Sequence, residues 1–107
     1  MTTKEIDALE KAISIAEKEA QKYANTEDGG TCNFDAPMVK IKATERQLAK
    51  IDWQVMKIGK RQPDGGTWYA IFINLEGQGN RRTRMAEAAA ESLKKSGYNA
   101  SVAYEMD

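Results

Sequence analysis

Apolar and polar positions recur along this chain with two different periods, and the switches between them mark its elements. Ile6, Leu9, Ile13, Ala16, Ala20 and Tyr23 fall three and four residues apart, with charged residues filling the remaining faces. That spacing predicts a long amphipathic helix with a narrow apolar stripe. Thr2 and Glu5 have capping-box spacing at its start. The helix is expected to end near Asn25, with residues 26–37 as a loop. Beyond Pro37, which a helix interior excludes, Val39 and Ile41 alternate with Lys40 and Lys42, a short strand. Thr44 and Gln47 repeat the capping spacing ahead of a brief helix with Leu48 and Ile51 on one face. In WQVMKIGKR the alternation returns, with Met56 and Ile58 opposite Val55 and Lys57.

QPDGG then predicts a turn. Pro63 presets φ, Asp64 can bond its own backbone, and Gly65 and Gly66 admit positive φ. The strand after it, TWYAIFINL, is apolar on both faces: Trp68, Ala70 and Phe72 on one, Tyr69, Ile71, Ile73 and Leu75 on the other. Such a strand is expected to be central and covered on both sides. Asn80 is a good N-cap for a last helix with Met85, Ala89 and Leu93 as its buried stripe. Glu91 and Lys95 form an i,i+4 pair, and Gly97 suits the C-terminal cap. YNASVAYEM reads as a final strand.

The order is a helix followed by β-α-β-β-α-β. That predicts one α+β domain, a ferredoxin-like antiparallel sheet spanning 38–107 with an additional long N-terminal helix over 1–25. In that arrangement the first and third strands lie centrally, and two helices cover one sheet face. The N-terminal helix is expected to lie across the other face and bury Trp68 and Phe72, since exposing several aromatics leaves an unusual apolar patch. Alternatively its stripe pairs with a second copy as a homodimer. Left uncovered, Trp68 and Phe72 could stack bases as in RNA-recognition motifs, although MVKIK offers no aromatic partner.

Composition narrows the chemistry. The 107 residues carry no net charge, so electrostatic attraction must come from a local patch. No apolar run is long enough to span a bilayer, and the first residues are periodic and charged rather than a signal sequence. A single cysteine, Cys32, fits a reducing cytoplasm and reads as a small apolar filler beside Phe34. There is no histidine, which removes the usual general base and the commonest zinc ligand. Glu27, Asp28 and Asp35 do not have EF-hand spacing. No cofactor or metal is implied, and the expectation is a non-enzyme, a carboxylate-based enzyme being the last choice.

One stretch carries candidate chemistry. EGQGNRRTR places Arg81, Arg82 and Arg84 in the first turn of the last helix, where the peptide dipoles already supply positive charge. Gly77 and Gly79 would let backbone N–H groups approach a ligand closely, and with Asn80 they make a candidate anion site. Arginine forks suit phosphate or carboxylate, so nucleic acid or a nucleoprotein is the expected partner. Lys40, Lys42, Lys57, Lys60 and Arg61 lie on or beside strands and could extend the basic surface, although edge-strand lysines also serve to discourage edge pairing. The plainer reading is a solvated face, with Arg84 paired to Glu87 and Arg81 to Glu76 or Glu45. GQGN lacks both the dinucleotide fingerprint and the P-loop lysine.

Gly29–Asp35 (GGTCNFD), Gly77–Ala86 (GQGNRRTRMA) and the ending Tyr104–Asp107 resemble small uncharacterised proteins of bacteriophages and integrated mobile elements. The likeness covers most of the chain from Gly29 onward. It implies no activity, only action on host machinery or phage DNA metabolism. A protein-directed inhibitor or adaptor acting on a host protein, such as a host-defence (anti-CRISPR-like) inhibitor, is therefore the second expectation.

Overall fold

The computed structural model describes residues 1–23, 35–74 and 80–104, residues 80 and 81 by their backbone alone. Helix α1 spans Thr3–Gln21, strand β1 Ala36–Ile41, helix α2 Glu45–Leu48, strand β2 Gln54–Ile58, strand β3 Thr67–Phe72, helix α3 Asn80–Lys95 and strand β4 Asn99–Ala103. The four strands form one sheet in the order β2-β3-β1-β4, every neighbouring pair antiparallel. The chain is an α+β fold with an N-terminal helix. Its inner strands are the first and third, as the two-sided apolar pattern of β3 predicts.

Local signals account for the helix ends. Thr2 N donates to Glu5 Oε1 at 2.8 Å and Glu5 N to Thr2 Oγ1 at 3.1 Å, a complete capping box on α1. Thr44 and Gln47 exchange the same pair of bonds at the start of α2. Helix α3 stops at Gly97, whose φ of 97° costs glycine nothing. Tyr98 N then reaches Leu93 O at 3.0 Å and Gly97 N reaches Lys94 O at 2.9 Å, a Schellman cap. Several boundaries and pairs differ from expectation. Helix α1 ends at Gln21 rather than near Asn25, which lies outside the described residues. Strand β1 begins at Ala36, inside the expected loop, because Pro37 near the head of a strand gives up a dispensable ladder bond. Glu91 pairs with Lys94 at 3.1 Å, one residue short of Lys95.

The core lies between the helices and one sheet face. Val39, Tyr69, Ile71 and Ala100 point from the sheet into it, and Leu9, Ile13, Met85 and Leu93 meet them from α1 and α3. Both long helices therefore cover the same face. This corrects the expectation that α1 crosses the opposite face. The physical reason is the length of α2: four residues cannot cover half a sheet. Helix α1 occupies that place beside α3, where Ala12, Ala16 and Ala20 are buried and admit close approach. Glu17 anchors it, its Oε2 accepting from Trp53 Nε1 at 3.2 Å and from Asn74 N at 2.8 Å. Gln21 Nε2 adds a bond to Asn74 O at 2.8 Å. Strand β3 is thus inner but covered on one side only, and Trp68 and Phe72 on its far side are half-buried.

Candidate nucleic-acid interface

The start of α3 has no acid of its own in its first turn. It receives one from β1. Asp35, 2% exposed at the head of that strand, accepts a hydrogen bond from Thr83 Oγ1 at 2.6 Å. A buried carboxylate against the first turn of a helix complements the dipole there. Gly77 and Gly79 lie outside the described residues, as do the side chains of Asn80 and Arg81. Arg82 is half-buried. Arg84 is exposed and does not take Glu87, whose Oε2 instead accepts from Tyr104 Oη at 3.0 Å.

A second group of cations gathers at the far end of the sheet. Strand β3 starts at the β2–β3 turn and ends toward α3, and six residues of strand cover about 20 Å. Lys60 and Arg61 sit at the starting end, so they do not continue the arginines of α3. Antiparallel pairing brings β1 to the same place: Lys40 lies opposite Trp68 and Ile41 opposite Thr67, with Lys42 just beyond. Lys57 lies opposite Tyr69 on the other flank.

The turn between them is tightly built. Gln62 N donates to Gly66 O at 2.7 Å, Gly65 N to Gln62 O at 2.9 Å, and Gly66 N to Asp64 Oδ1 at 2.9 Å. Gly65 has φ of 88°, and a side chain there would meet Arg61 Nη2 at 3.6 Å and Lys42 Cε at 3.7 Å. Those two cationic side chains therefore converge on the turn. With Lys57, Glu45, Thr67 and Tyr69 they bound a hollow of about 380 Å³. Lys40 Nζ is held by Asp64 Oδ2 at 2.7 Å. That bond, with the one from Gly66 N–H, keeps the Asp64 carboxyl below its ordinary pKa. Among the described residues no carboxylate lies within 4.0 Å of Lys42, Lys57, Lys60 or Arg61.

The uncovered sheet face adjoins this end. Its register rows run Lys40–Trp68–Ile58, then Met38–Ala70–Met56, then Phe72–Gln54. Met56 is 49% exposed. Met38, Met56, Ile58, Ala70 and Phe72 line a shallow apolar hollow of about 490 Å³.

A third hollow, about 710 Å³, lies between α1 and α3. Its carboxylates are all engaged: Glu19 with Lys22 at 2.9 Å, Glu91 with Lys94, and Glu87 with Tyr104. Arg84 lines it too, in surroundings of mixed charge. Among the described residues no group of three or more His, Cys, Asp or Glu is placed to hold a metal ion. Nor is any described helix long and apolar enough to cross a membrane.

Asp35 as the partner of α3 was not among the sequence-based candidates, and Lys42 was one of five cations on or beside strands. Pairing β1 with β3 is the signal that joins Lys42 to Arg61. In comparisons with family models, curated proteins and solved structures, nothing matched the chain.

Proposed function

We propose that this chain is a small non-enzymatic module that binds nucleic acid at the β2–β3 end of its sheet. The observation that carries the proposal is the set of unpaired cations Lys42, Lys57, Lys60 and Arg61 around one turn. Lys40, Lys42, Lys57, Lys60 and Arg61 outnumber Asp64 and Glu45 at this end, and a polyanion relieves the remaining repulsion by giving up its own condensed counterions. The arginines at the start of α3 are a weaker candidate, because Asp35 already places a negative charge beside that turn. We read the framework as ferredoxin-like. The strand order and the two helices on one face support that reading, with α1 standing in for a helix that α2 is too short to be. A phage or mobile-element setting, in the cytoplasm of a host, fits a module of this kind.

Fluorescence anisotropy with labelled oligonucleotides tests the proposal. Binding is expected at low salt, with steep weakening as salt rises. Absence of binding at low salt defeats it.

A second reading, a protein-directed inhibitor or adaptor, is favoured by the exposed Met56 and the apolar hollow around it. Methionine surfaces adapt to partners of different shape. Retention of one host protein after nuclease treatment, with no affinity for oligonucleotides, would select that reading.

A further inference from the structure

The geometry points to a single strand as the ligand, its bases stacked on Trp68 and Phe72 across the open sheet face and its phosphates held at the basic end. This inference rests on the nucleic-acid reading above and specifies the strand and its contacts.

Register carries the argument. Trp68 and Phe72 project from the same side of β3, four residues and so about 14 Å apart. Between them lies Ala70, 2% exposed and too small to fill the space. Met38 and Met56 flank it on the neighbouring strands. The result is a hollowed floor lined by Met38, Met56, Ile58, Ala70 and Phe72, with Trp68 one register row beyond Ala70 toward the basic end. None of the register positions on this side is Asp or Glu. Gln54, Asn99 and Ser101 at the two sheet edges supply neutral groups that can bond base edges.

Charge completes the picture. Lys40 shares a row with Trp68, and Lys42, Lys60 and Arg61 surround the turn next to it. Lys42 and Arg61 line the hollow with Thr67 and Tyr69 on the helix side, so a strand lying on Trp68 meets them by passing over the end of the sheet. Aromatic rings offer stacking that tolerates any base, and each stacked base contributes enough to matter at these affinities. A duplex cannot use such a floor, because its bases already stack on one another. Asp64 reaches this face only at its end, where it holds Lys40, and a purely electrostatic site would have no use for the aromatic surface beyond it.

Titrating the full chain with a short oligothymidylate, a short oligouridylate, a duplex of equal length and inorganic polyphosphate tests this. Both single strands are expected to bind more tightly than the duplex. Trp68→Leu is expected to weaken them by about 10-fold while leaving polyphosphate unchanged, and Trp68→Phe to recover most of the loss. Trp53 is on the other side of the sheet, bonded to Glu17, so Trp53→Phe leaves Trp68 as the sole indole. Fluorescence of that variant should be quenched by either single strand, which decides the matter even if Trp68→Leu does not fold. Equal affinity for single strand, duplex and polyphosphate, with no quenching, overturns the stacking inference and leaves the basic end standing. No binding to any of these probes at low salt overturns both.

Discussion

Thr83, in the first turn of α3, donates its hydroxyl to Asp35 Oδ2 at 2.6 Å, and Asp35 itself is 2% exposed at the head of β1. This one contact joins a strand to a helix across 48 residues of chain. It also supplies the negative charge that the arginine-rich turn lacks. Asp35→Ala is expected to cost about 2 kcal/mol of stability, as bonds to a buried charged group do. Chemical denaturation measures it. A loss below a few tenths would mean that the carboxylate is not a fixture of the fold.

Tyr69 plays a similar part at the other end of β1. Its hydroxyl donates to Ala43 O at 2.6 Å, and burial pushes its pKa up. Tyr69→Phe keeps the ring and removes the bond. The expected cost is about 1 kcal/mol, read as a lower urea midpoint with an unchanged slope.

The α1–α3 contact depends on small side chains. Ala16 is 1% exposed and Ala89 is fully buried. Ala16→Leu is expected to destabilise by about 1–3 kcal/mol through overpacking. A neutral result would contradict the close approach of α1 to α3.

Asp64 restrains the basic end. Lys40 first, and then the Gly66 N–H, hold its carboxyl below the ordinary Asp range. The ion pair is therefore complete at neutral pH and is lost only as pH falls through that lowered value. Once Asp64 is protonated, Lys40 has no counter-charge. Oligonucleotide affinity is expected to rise as pH falls through that lowered value, below the usual Asp pKa. Asp64→Asn should bring the same gain at pH 7 and flatten the pH dependence. Anisotropy across a pH series checks both outcomes.

Much of the architecture could be read from residue order. Period together with Pro37, the QPDGG turn and the capping pairs marked the helices and strands, and Thr2, Thr44 and Gly97 fixed helix ends through bonds to neighbours a few residues away. The face that α1 covers was not legible. Its stripe of Leu9, Ile13 and Ala16 would suit either side of the sheet, and only the brevity of α2 decides between them. The site was legible in part. Lys42, Lys57, Lys60 and Arg61 stand out in sequence, but that Lys42 meets Arg61 at one turn follows only from the pairing of β1 with β3. The same holds for Asp35, which sits 48 residues from the hydroxyl it accepts and reads, in isolation, as a loop acid. The helix dipole disfavours cations at the start of α3, and the acid that answers them arrives from the head of a strand distant in sequence.

The most direct test is the slope of log affinity against log salt for a single-stranded oligonucleotide. Each phosphate contact contributes about 0.7 to that slope. Replacing Lys42, Lys57 and Arg61 together by Ala should therefore make it shallower by about 2. Replacing Arg81, Arg82 and Arg84 should leave it nearly unchanged. The opposite pattern, a slope lost with the arginines of α3 and kept without the three cations around the β2–β3 turn, would contradict the account.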